Sequence, residues 1–509
     1  MVSKRLLILF ALVAIKFILQ YLLIDGAYDL HRDEYLHLDQ ARHLAWGYDS
    51  VPPVTSWISL IILKLGNGVF WIKFFPALFG ALTIVMVWKI IQALGGNLFS
   101  QVLGAVAILL SAILRINILY QPNSLEILCW TILYYTLIQY IRSGNTKWLY
   151  AAGVITGFTF LNKYNVVFVI LGLLPAILLT DQRKLFLNKH FYFSMLVALL
   201  IIAPNIVWQV KNNFPVVHHL KELTDTQLVN VNRADFLKEQ LLFFVGSFFV
   251  LAAAFISFFI YAPFKKFRLF LWAYIFTMLL YIYLRAKGYY AIGLYPVLLA
   301  FGAVYIGHLL STGWKRYLQP VALLIPVLLS IPMFRIGFPT AGPAELQKRK
   351  PLYQQFGLLR WEDGKDHQLP QDFADMLGWS ELAAKVDSVY AGIADKEHTL
   401  VFCDNYGQAG AINYYSKYKN INAGSLNADY ITWLPLAEKE IKNVILVQSS
   451  DDDDPERKRE RNFFKTVGFA ARVENKYARE YGTSIYVLLD AITSINDILK
   501  KEIAEKKAK

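Results

Sequence analysis

Residues 6–24 read LLILFALVAIKFILQYLLI, and residues 29–57 read DLHRDEYLHLDQARHLAWGYDSVPPVTSW. The first stretch is almost entirely apolar and has the length of about 20 residues that a bilayer-spanning helix needs. The second stretch is polar, and its centre places two adjacent carboxylates, Asp33 and Glu34, beside Arg32. This order predicts a membrane-spanning helix followed by a charged loop that carries the reactive groups.

The remainder of the chain continues the apolar pattern as far as residue 334. Of the 509 residues, 56% are hydrophobic and 17% are charged, which is too apolar for an ordinary soluble protein and typical of a multi-span membrane protein. The expected spans are Leu6–Ile24, Val69–Gln92, Gln101–Leu119, Leu125–Ile141, Trp148–Leu161, Tyr164–Thr180, Phe191–Trp208, Leu241–Ala262, Phe267–Leu284, Tyr289–Ser311 and Tyr317–Phe334. A weaker apolar run between Pro53 and Leu65 predicts a helix that lies at the membrane interface.

The composition changes at Arg335 to that of a water-soluble domain. Helical spacing at Trp379–Tyr390 alternates with short β-type runs at Thr399–Cys403, Val444–Val447 and Ser484–Leu489. The predicted fold is therefore an α-helical membrane domain over residues 1–334, with about eleven to thirteen spans and a first outer loop at 25–66. A soluble α/β domain is expected over residues 335–509.

Charges between the apolar segments indicate the orientation. With Lys4 and Arg5 in the cytoplasm, alternate short loops carry most of the other Lys and Arg residues, as the positive-inside rule requires. Orientation, rather than nucleic-acid binding, therefore explains the formal net charge of +13. The sequence predicts a multi-pass protein of the inner (cytoplasmic) membrane, with the 25–66 loop and the C-terminal domain on the periplasmic side.

Asp33 and Glu34 are the first candidates for acid–base chemistry. Neighbouring residues in a regular structure point in different directions, so the two carboxylates cannot form a tight dyad. They can have separate roles, in which one carboxylate faces a substrate hydroxyl and the other binds a supporting group such as Arg32 or a backbone donor. The alternative is that both are ordinary loop charges at a water interface.

Glu126 is a carboxylate near the outer end of a predicted span. It follows the helix-start signal Gln-Pro-Asn-Ser, and an unpaired carboxylate at membrane depth is costly, so it is expected to face the interior or a cavity. Arg115 approaches the same surface from the preceding span. A structural Arg115–Glu126 pair is the alternative to a catalytic role.

Three cations stand on the outer side, where the positive-inside rule disfavours them. These are Lys163, in the turn between two spans, with Arg285 and Lys287, which precede Tyr289 and Tyr290. Together they predict a cradle for a lipid-linked phosphate. Anchoring to lipid headgroups is the alternative.

The sequence does not contain the usual signatures of nucleotide or metal chemistry. There is no GxGxxG, P-loop or GxSxG stretch, and the two cysteines, Cys129 and Cys403, support no disulfide framework. His218 and His219 are neighbours that cannot easily chelate one metal, so they are expected to make substrate or structural contacts. No metal site is predicted.

Together these stretches resemble the bacterial family 39 type glycosyltransferases of the GT-C fold, relatives of protein O-mannosyltransferases and of the lipid A aminoarabinose transferase. The matching motifs are Arg32-Asp33-Glu34-Tyr35, Ala41-Arg42-His43-Leu44 with Gly47-Tyr48, Pro52-Pro53 with Trp57, Gln121-Pro122 with Glu126, Leu161-Asn162-Lys163-Tyr164, and Ala286-Lys287-Gly288-Tyr289-Tyr290 with Tyr295-Pro296. The resemblance covers roughly the whole membrane part.

The resemblance implies an inverting transfer from a polyprenyl-phosphate sugar donor, either without a metal or with a weak dependence on a divalent metal. By the match, Asp33 is the catalytic carboxylate and Glu126 the second acidic position, while Lys163 and Lys287 lie near the donor phosphate. Ser50-Val51 stands before the prolines where the aminoarabinose transferase has a lysine, so the acceptor stays open among lipid, glycan and protein hydroxyls.

The sequence therefore predicts a membrane glycosyltransferase in which Asp33 takes the acceptor proton, assisted by Glu126 or Glu34. Arg32, Tyr35, His43, His218 and His219 are expected to contact substrate. A transporter or flippase, or a non-catalytic binder of lipid-linked sugar, would use the same charges differently. The transporter is disfavoured because the ionisable residues gather at one membrane face rather than at the midplane.

Overall fold

The computed structural model describes residues 4–437 and 439–508. The chain divides into two compact units. The membrane unit comprises residues 1–24, 45–55 and 65–340, and the α/β unit comprises residues 25–44, 56–64 and 341–509. Much of the charged loop expected at 25–66 thus belongs to the same unit as the C-terminal residues.

Helices make up most of the chain as far as residue 337. They are α1 (Lys4–Leu22), α2 (Arg32–Asp39), α3 (Val54–Lys64), α4 (Val69–Ala93), α5 (Leu98–Leu109), α6 (Ala112–Ile116), α7 (Pro122–Ser143), α8 (Lys147–Asn162), α9 (Val166–Leu178), α10 (Lys189–Lys211), α11 (Pro215–Thr226), α12 (Arg233–Phe243), α13 (Phe248–Ile260), α14 (Arg268–Tyr283), α15 (Tyr295–Leu309) and α16 (Gln319–Gly337). Each expected span coincides with helix, and the predicted interfacial segment is α3.

The chain is a multi-pass membrane protein. Within the described residues, seven helices are long and apolar enough to cross a bilayer, or up to nine if each of two bent pairs is one span. This is fewer than the eleven to thirteen expected. The difference arises because some apolar segments form short or broken helices: Gln101–Leu119 divides into α5 and α6, and α8 has 16 residues.

Helix α15 lies at the centre of the membrane unit. Within the segment Gly288–Leu309, which contains α15, 89% of the residues in an apolar stretch of 18 are buried. The corresponding share for α10 is 17%. Small residues permit the close packing: a Cβ at Gly302 would overlap the carbonyl oxygen of Val250 on α13. The apolar side chains of this unit therefore pack around α15 as a continuous core.

The α/β unit contains a five-stranded mixed sheet. Its remaining elements are α17 (Pro343–Gln347), α18 (Lys350–Gln355), α19 (Gln371–Ala374), α20 (Trp379–Ala391), β1 (Thr399–Cys403), α21 (Tyr406–Tyr415), β2 (Gly424–Ser425), β3 (Asn443–Gln448), β4 (Phe464–Arg472), β5 (Ser484–Ala491) and α22 (Ile495–Ala508). The strand order is β2-β1-β3-β5-β4, in which β1 is parallel to β2 and β3, and β5 is antiparallel to β3 and β4.

Helix α2 packs against α21, which follows directly after β1. The contact is close because a Cβ at Gly410 of α21 would lie 2.7 Å from Cβ of Tyr35 on α2. The Tyr35 ring also packs edge-on against Trp379 and Tyr415. This packing brings the start of α2, with its two carboxylates, to the start of α21 at the carboxyl end of β1, where α/β sheets commonly place functional residues.

Candidate active site

Glu34 closes the N-terminus of α2. Its Oε2 accepts a 2.7 Å hydrogen bond from the backbone N–H of His31, while the His31 ring accepts the N–H of Asp33. This reciprocal arrangement is a capping box, which satisfies backbone donors that the helix leaves unpaired. Glu34 is fully buried. The structure therefore uses Glu34 to hold the helix start, and the two neighbouring carboxylates diverge as their adjacency predicts.

Asp33 points the other way and keeps 34% of its side chain exposed. Its Oδ1 accepts a 2.6 Å hydrogen bond from the hydroxyl of Tyr406 and lies 3.6 Å from Nε of Arg32. Burial acts to raise the pKa of Asp33, but the charges of His31 and Arg32 and the Tyr406 bond outweigh it and hold that pKa well below its ordinary value. Asp33 is consequently an ionised, partly exposed acceptor.

Tyr406 is a site residue that the sequence did not single out for this role. It begins α21, whose N-cap Asn405 accepts the backbone N–H of Gln408. The guanidinium of Arg32 lies 5.1 Å from the centre of the Tyr406 ring. The surrounding residues 405–410 are polar and contain two glycines, but the sequence does not reveal the partner of the tyrosine.

The other candidates on α2 and just after it make different contacts. Tyr35 is fully buried among aromatic rings, so its role is packing rather than the substrate contact that was expected. The His43 ring stacks on Trp433, with 4.3 Å between ring centroids and 9° between planes. Arg32 supports Asp33 and Tyr406, as described above, and its backbone N–H donates to the carbonyl of Asp375.

Lys163 is the centre of a second polar cluster, in the membrane unit. Its ammonium donates to Oδ1 of Asn123 at 2.7 Å and to Oε2 of Glu126 at 3.2 Å. The same ammonium lies 5.4 Å and 4.7 Å from the ring centroids of Tyr289 and Tyr290, within cation–π range. Residues from three separate parts of the sequence thus converge on one cation.

Glu126 pairs with Lys163, so the Arg115–Glu126 pair considered as an alternative does not form. The carboxylate is 4% exposed, in the first turns of α7. Its second oxygen, Oε1, is buried and lies outside hydrogen-bond geometry, although the side chain of Asn165 also interacts with this carboxylate. Because a buried acceptor without a well-aligned donor is costly, a ligand hydroxyl at this oxygen would be favourable.

Arg285 and Lys287 contact a different segment from the one that Lys163 contacts. Nζ of Lys287 donates to the side-chain oxygen of Gln227 at 2.6 Å, and Arg285 donates to the carbonyl of Val229 at 3.5 Å. Of the five residues predicted to form the phosphate cradle, the structure gathers Lys163, Tyr289 and Tyr290. The two other cations bind the 227–229 segment.

His218 and His219 lie on α11, none of whose residues is buried. Nδ1 of His219 lies 3.6 Å from a carboxylate oxygen of Asp49, and His218 is exposed. Among residues 4–437 and 439–508, no three His, Cys, Asp or Glu side chains are placed to hold a metal ion.

The fold and part of the sequence match known proteins. ArnT from Cupriavidus metallidurans, in a structure bound to undecaprenyl phosphate, superposes with a TM-score of 0.63 and 13% identity over 94% of this chain and 97% of that chain. The chain has the GT-C fold. The apo structure of the same ArnT gives a TM-score of 0.61 over the same share of each chain. The predicted fold class is therefore confirmed.

A second solved structure and a family model also match this chain. An Archaeoglobus fulgidus oligosaccharyltransferase superposes with a TM-score of 0.50 and 12% identity, over 87% of this chain and 68% of that one. Residues 50–208 match the family described as dolichyl-phosphate-mannose-protein mannosyltransferase.

A curated relative also matches part of this GT-C chain. Lipid A galacturonosyltransferase RgtD of Rhizobium johnstonii is 24% identical over 246 residues, which are 48% of this chain. The chain spans about half of this relative, since the match covers 50% of its length.

Proposed function

We propose that the chain is a membrane glycosyltransferase that moves a sugar from a polyprenyl-phosphate donor to a hydroxyl of a lipid, glycan or protein acceptor, with inversion. The observation that carries the proposal is the Lys163 ammonium, held between Asn123 and Glu126 against two tyrosine rings. A sugar phosphate is a good leaving group once its departing oxygens are neutralised, and a fixed cation supplies that stabilisation. The polyprenyl-phosphate bound by ArnT supports this class of donor.

In the proposed step, the acceptor oxygen forms a bond to the anomeric carbon. The bond between that carbon and the phosphate oxygen breaks, and its electron pair leaves with the polyprenyl phosphate. The hydroxyl proton passes to Asp33. A single displacement of this kind inverts the configuration at the anomeric carbon.

Asp33 suits a reaction in which the donor bond breaks early. Its pKa lies well below the ordinary value, so it is a weak base that takes a proton only after the attacking hydroxyl has become acidic. The buried Oε1 of Glu126 is assigned to a hydroxyl of the bound sugar, and Glu34 is assigned to the helix cap.

We place the protein in the inner membrane, and we assign Asp33 and Lys163 to its periplasmic side. The distribution of Lys and Arg residues among the short loops supports this orientation. The reaction is assigned to side chains alone and needs no metal or other cofactor, because Lys163 supplies the positive charge at the phosphate.

The test is transfer by the purified full-length protein in liposomes, using polyprenyl phosphates that carry radiolabelled sugars. Transferase activity moves the label from the donor to an acceptor extracted from the envelope of the host cell. A flippase would move labelled lipid between leaflets while the sugar stays on the donor. Lipid movement without sugar transfer would overturn the proposal, as would binding of the donor without either reaction.

A further inference from the structure

Asn165 is a buried amide that follows Lys163 in the sequence and stands at the N-cap position of α9. An asparagine at this position usually accepts a backbone N–H of the helix that it precedes. Asn97 and Asn188 do so at the starts of α5 and α10. The side chain of Asn165 makes no such bond to α9. Its hydrogen bonds go to other segments of the membrane unit.

The partners of Asn165 come from three other segments. Its Oδ1 accepts a 2.8 Å hydrogen bond from the hydroxyl of Tyr281, near the end of α14. Its Nδ2 donates to the backbone carbonyl of Tyr290 at 3.3 Å, and its side chain also interacts with the carboxylate of Glu126 on α7. Asn165 thus joins Glu126 and Tyr290, which both contact the Lys163 ammonium.

The direction of the Asn165 amide follows from the chemistry of these partners. A backbone carbonyl, and a carboxylate that pairs with a lysine, accept hydrogen bonds and do not donate them, so both need the NH₂ group of the amide. The oxygen of the amide then faces Tyr281, whose hydroxyl donates to it. Tyr281 is fully buried, and its ring packs against Phe168 with 5.4 Å between centroids. Tyr281 therefore keeps the NH₂ group of Asn165 directed at Glu126.

The position of the Glu126 carboxylate matters because Lys163 attracts both of its oxygens. Oε2 is the oxygen that accepts from the ammonium, at 3.2 Å. An ammonium group has three N–H bonds. Among the residues that the structure describes, those of Lys163 reach two acceptors, Asn123 and Glu126. A carboxylate that moved onto the ammonium with both oxygens would occupy the third N–H, which is needed by the departing phosphate.

We propose that Asn165, oriented by Tyr281, is a positioning residue that keeps the Glu126 carboxylate bound to Lys163 through one oxygen only. The inference rests on the proposed function, since it assigns the third N–H of Lys163 to the phosphate of the donor lipid. Asn165 acts through Glu126 rather than on the lipid. Its effect on phosphate binding should therefore depend on the charge of Glu126.

The test is a double-mutant cycle on the binding of undecaprenyl phosphate to the full-length protein in nanodiscs, followed by tryptophan fluorescence. Asn165→Leu removes the amide and should weaken binding by about tenfold. Glu126→Gln alone should bind at least as tightly as the wild type, because Lys163 keeps its charge and loses the competing carboxylate. Adding Asn165→Leu to Glu126→Gln should have little further effect, whereas a purely structural loss would be equal in both backgrounds.

Tyr281→Phe tests the orientation of the amide. It should weaken binding by about fivefold and add nothing to Asn165→Leu. It keeps the buried ring, so it carries the test if Asn165→Leu does not fold, and unfolding temperatures check every variant. Tyr150→Phe is the matched control, because it removes a hydroxyl on α8 that bonds to Nδ1 of His190 at 2.8 Å. This control should bind as the wild type does.

Three results overturn the assignment of Asn165. These are unchanged affinity in both Asn165→Leu and Tyr281→Phe, an equal loss with and without the Glu126 carboxylate, and loss of binding in the wild type or in Glu126→Gln alone. The transfer assay separates these outcomes from failure of the proposed function. Sugar transfer by the wild type together with any of them removes the role of Asn165 and leaves the transferase. Binding that follows the cycle without any sugar transfer supports Asn165 and overturns the transferase.

Discussion

The hydroxyl of Tyr406 donates a 2.6 Å hydrogen bond to Oδ1 of Asp33, from which it is separated by 373 residues of sequence. The bond joins the start of α21 to the start of α2 within the α/β unit. It favours the ionised carboxylate and restrains the orientation of the Asp33 side chain. The C-terminal part of the chain therefore contributes directly to the electrostatics of the proposed base.

Tyr406→Phe tests this relationship through the pH dependence of transfer. Removing a hydrogen bond to the charged form raises the pKa of Asp33, because the carboxylate loses stabilisation that the neutral acid does not need. The acid limb of the pH–rate profile should move to higher pH, with a smaller change at neutral pH where Asp33 remains ionised. Tyr415→Phe, which removes a hydroxyl bonded to Tyr35 instead, should leave the limb in place. If Tyr406→Phe had the same pH–rate profile as the wild type, the hydrogen bond from Tyr406 to Asp33 would have no part in catalysis.

Asp33→Asn removes the proposed proton acceptor and keeps the shape of the side chain. Sugar transfer should fall by about 10²–10⁴-fold, the usual contribution of a positioned base, while donor binding and the unfolding temperature stay near those of the wild type. Radiolabel transfer in liposomes measures the loss, with Asp363→Asn, a change at an exposed carboxylate elsewhere in the α/β unit, as the control. Full activity in the Asp33 variant would remove this residue from the mechanism.

Lys163 and Lys287 allow a matched comparison of two lysines. Lys163→Met should reduce transfer by about 10²–10³-fold, because the departing phosphate loses its cation. Lys287→Met should have a much smaller effect, since Nζ of Lys287 donates to the side chain of Gln227. Lys163→Arg keeps the charge and should recover part of the rate, which distinguishes charge from folding. Equal losses at both positions would support the larger phosphate site predicted from the sequence, in which Lys287 acts together with Lys163.

Metal removal tests the assignment of positive charge to Lys163. The ammonium group is part of the chain, so EDTA should leave the rate of transfer unchanged, and added Mg²⁺ or Mn²⁺ should not raise it. The measurement is the initial rate at saturating donor with each addition. A loss in EDTA that either ion restores would show that a divalent cation takes part in the reaction.

Hydropathy predicted the helices of the membrane part well. Long apolar runs report helix position directly, and every expected span carries helix. The span count was less accurate, because a long and mainly apolar run breaks between α5 and α6, where Ser111 caps the start of α6. A single serine inside an apolar run is a weak signal beside the hydropathy of the whole segment.

The candidate sites were predicted less completely, because they depend on contacts between distant segments. The sequence placed Glu126 and Lys163 on one side of the membrane, but it did not show that they pair. Tyr35 was expected to contact substrate because it adjoins Asp33 and Glu34, yet an aromatic ring beside a site is equally suited to the core that it occupies. Tyr406 carries no motif, since its contact with Asp33 comes from packing of α2 on α21.

Gly302 tests the packing at the centre of the membrane unit. Gly302→Ala places a methyl group against the carbonyl oxygen of Val250, and backbone cannot yield as a flexible side chain can, so about 1–3 kcal/mol of stability should be lost. Gly337→Ala is the control. It lies at the end of α16, its Cβ would meet only Cγ of Met333 at 3.9 Å, and it should be neutral or slightly stabilising. Unfolding temperatures in the same detergent measure both variants. Equal temperatures would mean that α13 and α15 are less closely packed than the overlap requires.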